Sequence, residues 1–249
     1  MEAILTLKEK KPSANNLRVV YSSLREILRK NEVEHKILKN EVLVDTVLLD
    51  PKLSGSLSSE DIEIIQESGS NKMLTRIISN PSTSAMISYE QAIRCCKSKS
   101  SELRIACAEN KKIILEIPYD VILNLLNDKN TDVVCALIEN PSLYKRISVE
   151  EIKKLAIHPK TPIRYKLMQS HLAVELLSEE DIKKGLTDSE VVVRIKTVMN
   201  KKAMERISSV FITERIKEEN DSKVISALRL QLEKRRSAKK ILVDGSIID

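Results

Sequence analysis

NPSLYKRISVEEIKKLAIHPKTPIRYKLMQ, residues 140–169, reads as one structural unit. Asn140-Pro141 closes what precedes it, because proline cannot continue a helical ladder and pushes the residue before it out of the helical region. Ser148 stands three residues before Glu151, the spacing at which a serine oxygen accepts a backbone N–H and the acid reaches back to the serine N–H. Ile152, Leu155 and Ala156 follow at i, i+3, i+4 and mark the inward face of a first helix of about nine or ten residues. The polar turn His158-Pro159-Lys160-Thr161 ends it, and Ile163, Leu167 and Met168 give the inward face of a second helix over 161–169.

The same unit recurs outward from this stretch at thirty residues. Asp50, Asn80, Asn110, Asn140, Ser170 and Asn200 form one series, with Pro51, Pro81 and Pro141 behind three of them. Leu57, Ile87, Ile117, Ile147, Leu177 and Ile207 form a second, each just before a cap: Ser58, Ser88, Pro118, Ser148, Ser178 and Ser208. Ile62, Ala92, Ile122, Ile152, Ile182 and Ile212 form a third. Ser58/Asp61, Ser88/Gln91 and Ser178/Asp181 repeat the capping-box spacing. Self-similarity at a fixed period is the signature of a repeat array. Helices this short are unstable alone and persist by stacking on the copies beside them. The expected fold is all-α, a right-handed α-solenoid of about six two-helix repeats with terminal capping helices. A ladder of asparagine side chains between successive repeats is a further expectation.

The expected organisation is a flexible start over 1–13, one solenoid domain over 14–240 with repeats at about 31–219, and a tail over 241–249. Residues 15–30 read as an N-terminal capping helix and 221–240 as a highly charged last helix. The composition suits a packed core, at 42% hydrophobic and 31% charged residues. There is no Trp and one Phe, Phe211.

The motif NPS…(I/L)S-x-E-x-I-x-x-L…V-R-x-x-(L/V)…N resembles the HEAT-like and variant leucine-rich repeats of bacterial and phage proteins. Asn80-Pro81-Ser82-Thr83-Ser84, Asn140-Pro141-Ser142-Leu143, Leu103-Arg104, Ile163-Arg164 and Val193-Arg194 carry the resemblance, which covers roughly residues 40–230. It implies a non-catalytic binding scaffold, of the kind by which a phage or mobile element regulates a host protein. It also implies that Arg104, Arg164 and Arg194 bond acids of adjacent repeats, with Leu74 and Val134 interrupting that series. The alkylpurine DNA glycosylases share such repeats, but their sites rely on tryptophans, which this chain lacks.

No phosphate-loop, dinucleotide, zincin or nucleophile-elbow motif is present. His35, His158 and His171 are dispersed, so neither an enzyme nor a metal or cofactor site is expected. The acids Glu60, Asp61, Glu63 and Glu67 suit a helix start and a solvated face. Cys95, Cys96, Cys107 and Cys135 lie on apolar helical positions and read as reduced, buried thiols of a cytoplasmic protein. No run approaches a transmembrane length, so no membrane association is expected.

Net charge is +6, and 24 basic against 19 acidic residues from 126 onward hold most of it. Arg164 and Arg194 share one column of the register; Arg76, Lys166 and Lys196 share another. Lys153, Lys154, Lys183 and Lys184 form parallel pairs, and Lys201, Lys202 and Arg206 follow in a loop. These are the candidate binding residues. A protein partner lying along the solenoid is the leading expectation. A nucleic-acid backbone tracked by the basic columns and Lys234–Lys240 is the alternative.

Overall fold

The computed structural model describes residues 41–49, 54–55, 57–67 and 70–245, with side chains omitted at 41–43, 46 and 238–245. The expected N-terminal cap at 15–30, the start at 1–13, the Asp50-Pro51 step and residues 246–249 lie outside the described residues. Those described are helical, with no strand among them.

The chain divides between Ile113 and Ile114 into two compact units. The first holds α1 (Glu41–Leu49), α2 (Ser59–Glu67), α3 (Asn71–Ser79), α4 (Pro81–Ser84), α5 (Tyr89–Cys96) and α6 (Ser101–Glu109), and the division falls in α7 (Lys111–Glu116). The second holds α8 (Tyr119–Leu126), α9 (Thr131–Glu139), a 3-10 turn at Leu143–Lys145, α10 (Val149–Ala156), α11 (Thr161–Gln169) and α12 (His171–Leu176). It continues with α13 (Glu179–Leu186), α14 (Val191–Met199), α15 (Lys201–Arg206), α16 (Ser209–Glu218) and α17 (Ser222–Gly245).

Each period therefore holds three helical segments, which corrects the two-helix expectation. The third is short because one extended residue turns the chain and restarts it. Asn200, at φ −76° and ψ 111°, closes α14 and also caps α15, its Oδ1 accepting from the N–H groups of Lys202 and Ala203. Asn80 does the same between α3 and α4. The third segments are real packing elements: Thr83, Ile113, Ile114, Leu143, Ala173, Val174, Ala203 and Met204 are buried. The inward positions of the second helices are buried as the register requires, from Met73, Ile77 and Ile78 through Val193, Thr197 and Val198. The last helix runs to Gly245, so 241–245 continues it rather than starting a loose tail.

Capping boxes close where the acid is short. The Ser58 and Ser178 N–H groups donate to Asp61 and Asp181 at 2.8 and 3.3 Å, and both Asp N–H groups donate back to serine Oγ. At Ser148 and Ser88 only the serine half forms. The Glu151 carboxylate accepts from Lys154 Nζ at 2.6 Å instead, and the Gln91 amide reaches Cys95 Sγ at 3.7 Å. The extra methylene places these groups closer to the next turn than to the cap.

Within each unit the second helices of neighbouring periods pack side by side: α1 on α3 and α3 on α6 in the first, α9 on α11, α11 on α14 and α14 on α17 in the second. Side chains stitch them. Asn80, Asn110 and Asn200 each donate Nδ2 to a carbonyl 32 residues earlier, those of Leu48, Ile78 and Met168, at 2.7, 2.9 and 2.9 Å. These carbonyls lie in the last turn of the preceding second helix, where no intrahelical donor exists. The asparagine ladder expected from sequence is present at these rungs.

Ser170 is too short to make the rung at Ile138, and the Tyr144 hydroxyl donates to the Ile138 carbonyl at 2.6 Å instead. Burial, opposed by a hydrogen bond with Ser170, pushes the Tyr144 phenol up to about 12. Tyr144→Phe should cost about 1–3 kcal/mol, the cost of a buried carbonyl left without a donor. Urea titration with unchanged far-ultraviolet ellipticity in native buffer checks this.

Gly185 of α13 sits where two helices converge. A Cβ there would lie 2.8 Å from Thr197 Oγ1 and 3.0 Å from the Met168 thioether. The methionine can yield, but Thr197 is held by its 2.9 Å bond to the Val193 carbonyl. Gly185→Ala should lose about 1–3 kcal/mol to overpacking, against roughly 1 kcal/mol gained in helix propensity. Adding Thr197→Ala should remove the coupling in a double-mutant cycle.

Candidate partner-binding face

The basic columns are largely consumed inside the array. Arg164 and Arg194 have side chains only 12% and 11% exposed. Arg164 Nη1 donates to the His158 and Pro159 carbonyls at 2.7 and 3.2 Å, while Nε and Nη2 grip both oxygens of Asp188 at 2.6 and 2.8 Å. Arg194 repeats this on the Asp188 and Ser189 carbonyls and on both oxygens of Glu219. Each arginine thus ties its own turn to the acid of the next one, a bidentate, charge-assisted link. Arg104 binds the matching carbonyls of Ser98 and Lys99. Arg164 and Arg194, expected from sequence among the binding residues, thus have their donors engaged by carbonyls and acids of the fold.

Glu219 is the most enclosed of these acids, with a side chain 1% exposed. It also accepts from Arg215 Nη2 at 2.6 Å and from the N–H groups of Asn220 and Asp221. Burial alone would raise its carboxyl, but the Arg194 and Asp221 hydrogen bonds and the two arginine charges outweigh this and hold it at about 2. Asp188 is likewise held below the carboxylate range, burial being outweighed by Arg164 and the Glu190 N–H.

The remaining predicted residues fall into three groups. Arg76 pairs with Asp45 at 2.9 Å, Lys166 with Glu139 and Lys202 with Glu175 at 2.9 Å, each joining neighbouring periods. Lys154, Lys183 and Lys184 pair with Glu151, Glu179/Glu180 and Asp181 on their own helices, Lys201 approaches Glu205 at 3.8 Å, and Lys153 is exposed. Lys196 sits 5.3 Å above the Tyr165 ring, a cation–π contact. The structure therefore does not gather these residues into one basic groove within either unit.

Arg146 and Lys112, not singled out from sequence, clamp third segments, as do Arg206 and Arg235, which sequence alone counts among the basic surface residues. Arg146 donates to the carbonyls of Ile114, Leu115 and Ile117, Arg206 to Val174 at 2.9 Å, Arg235 to Ile207 and Met204, and Lys112 to Ala85 at 2.8 Å. A cation at a helix C-terminus satisfies orphan carbonyls and suits the dipole. Arg146 and Arg206 stand two periods apart at one position, a signal the sequence does carry.

What remains open is the outward face of the second helices. In the first unit it is mixed, with exposed Leu49 at the end of α1 and two open clefts, the larger of which combines polar residues with Ile78, Pro81 and Ala106. One, of about 360 Å³, is lined by Lys72, Thr75, Arg76, Ser100 and Glu102; the other, of about 470 Å³, by Ser79, Ser84, Glu109, Lys111 and Lys112. In the second unit the same positions become apolar at the C-terminal end. Val192 is 49% exposed and Met199 63%, with half-buried Ile195 between them. Leu230 of α17, 49% exposed, holds on that helix the position Met199 holds on α14, since Val224 and Leu228 are buried as Val193 and Thr197 are; the adjacent Gln231 Nε2 donates to the Val198 carbonyl at 3.1 Å. The column carries Leu49, Ser79, Glu109, Glu139 and Gln169 where Met199 stands, so apolar Met199 follows four polar residues at its position, with exposed Leu49 at the start of the column.

Chemistry is sparse elsewhere. No group of three or more His, Cys, Asp or Glu among the described residues could hold a metal ion. No described helix is long and apolar enough to cross a membrane. Cys95, Cys96, Cys107 and Cys135 are free and buried, and hydrogen bonding with Cys95 and Cys96, with burial, pushes the Cys107 thiol well up. His158 is lowered by burial and then by Lys160 and Arg164, and its Nδ1 accepts the Lys160 N–H; His171 Nδ1 meets Asn200 Oδ1 at 3.0 Å. His158 serves its local turn, and His171 meets the asparagine of the next period. No protein-family model matches the chain, and no curated protein matches it either.

Proposed function

We propose that the chain is an α-solenoid of about six thirty-residue repeats, of the HEAT-like or variant leucine-rich kind, serving as a non-catalytic scaffold for a protein partner. The same landmarks in both units support the continuous array: serine caps, an extended Asn or Ser closing each second helix, and side chains reaching 31 or 32 residues back. The observation that carries the binding reading is the strip Val192, Ile195, Met199 and Leu230. Val192, Met199 and Leu230 are exposed and Ile195 is half-buried, beside an Arg164 and an Arg194 that are engaged by carbonyls and acids of the fold. Exposed apolar clusters rimmed by polar residues mark interaction surfaces. Among the described residues, Arg76, Arg164, Lys166 and Arg194, which a phosphate backbone would follow, each have a carboxylate partner, which favours the protein-partner reading.

The test is affinity capture from the source cells with the wild-type chain and with Met199→Asp/Leu230→Asp. The reading expects a stoichiometric protein retained by the first and lost by the second, with nuclease treatment making no difference. Nuclease-sensitive capture, or salt-dependent duplex binding shared by both chains, would replace it with a nucleic-acid function.

A further inference from the structure

Resting on that scaffold reading, we infer that the strip on α14 and α17 receives an amphipathic helix of another protein whose flanks carry aspartate and glutamate. Val192, Ile195, Lys196 and Met199 stand at i, i+3, i+4 and i+7, which places them on one helical face. Leu230 extends that face onto the adjoining helix through the Gln231–Val198 contact. Two parallel helices with an apolar seam between polar shoulders form the groove that amphipathic helices use, read by anchors at the same spacing.

Charge chooses the occupant. Arg76, Lys166 and Arg164 on other second helices, and Arg194 on α14 itself, each have a carboxylate partner. Lys196 does not: its ammonium rests on the Tyr165 ring, which holds it beside the strip without neutralising it. Lys223, on α17, is exposed. Val224 and Leu228 are buried on α17 as Val193 and Thr197 are on α14, an offset of 31 residues that gives Lys223 the position Val192 holds on α14. Farther along α17, exposed Arg229 and Lys234 outnumber exposed Glu233. The shoulders are therefore cationic on both helices. A basic helix would meet like charge, and an uncharged one would leave Lys196 and Lys223 unmatched. A nucleic acid would match the lysines but leave Met199 and Leu230 in water.

A display library of helical peptides, with leucine fixed at i, i+3, i+4 and i+7 and all other positions randomised, tests this. Selection on the wild-type chain should enrich Asp and Glu beside the leucines. Lys196→Glu/Lys223→Glu should weaken the selected peptides by about 10-fold or more and, as bait, turn the selection toward Lys and Arg. Met199→Asp should weaken them comparably, with far-ultraviolet ellipticity and urea midpoint unchanged in both variants. Peptides lost with Met199→Asp but free of acidic preference would overturn the partner class while leaving the face. Peptides indifferent to Met199→Asp would overturn the site while leaving the scaffold reading. No enriched peptide, with a fluorescent DNA duplex retained by wild type and released by Lys196→Glu/Lys223→Glu, would overturn both.

Discussion

Glu219→Ala is expected to lower stability by about 3–5 kcal/mol, the cost of removing one partner from a buried ion pair. The alanine leaves Arg194 and Arg215, both largely buried, without the carboxylate they share, and strips the Asn220 and Asp221 N–H groups of their acceptor. Changing Arg194 and Glu219 together to leucine should recover part of the loss, since the uncompensated charge is what makes the single change costly. The pH dependence has a defined sign. The Glu219 carboxyl is held at about 2, below its ordinary value near 4.5, so the folded state favours its ionised form. Its contribution is fully present above about pH 4.5 and is lost as pH falls toward about 2. Glu219→Gln should flatten that part of the acid-unfolding profile. A wild-type profile of unchanged slope between the two values would remove the carboxylate from the account.

Asn200→Ala is the second large effect, at about 2–4 kcal/mol, from a lost cap of about 1 kcal/mol and an orphaned buried carbonyl. Asn200 is buried and acts at both ends of its side chain. Oδ1 caps α15 through Lys202 and Ala203, and Nδ2 satisfies the Met168 carbonyl of the previous period. Asn200→Asp separates the two jobs. It keeps the capping oxygen but has no donor for Met168, and it sets an anion against that carbonyl. Aspartate should therefore be nearly as destabilising as alanine. If aspartate instead restored most of the stability, the residue would be a helix cap and the link between periods would contribute little.

Much of the fold was legible because apolar faces and caps leave one-dimensional traces. The second-helix faces at Ile163, Leu167 and Met168 and at Val193, Thr197 and Val198 follow from the 3.6-residue period alone. The third segments left almost none. His171–Leu176 offers Ala173 and Val174 over six residues, too short to display a period. The arginines failed for a different reason. Arg164 and Arg194 recur in a column, and a recurring cation reads as a surface stripe until its partner is known. That partner lies 24 or 25 residues downstream, in a turn whose return alongside is a tertiary fact. The resemblance to HEAT-like repeats did imply such a bond, and Asp188 and Glu219 are the acids. The apolar strip was passed over because Val192 and Met199 look like core residues in isolation. Only comparison along their columns sets them apart: Lys72, Glu102, Asp132 and Pro162 precede Val192, and Ser79, Glu109, Glu139 and Gln169 precede Met199, with Leu49 at the start of that column also apolar and exposed.

A duplicated period tests the stacking claim most directly. Inserting a second copy of residues 171–200 directly after Asn200 preserves every rung. By register, Arg194 meets the copied Asp188, the copied Arg194 meets Glu219, the copied Asn200 meets the Val198 carbonyl, and Gln231 meets the copied one. Urea unfolding followed by ellipticity is the measurement. The account predicts one cooperative transition at equal or higher midpoint, unchanged ellipticity per residue, and a denaturant slope that grows with the added length. Reduced ellipticity per residue with an unchanged slope would mean that the copy hangs out as an unfolded loop, and the chain would not be a stack of interchangeable periods.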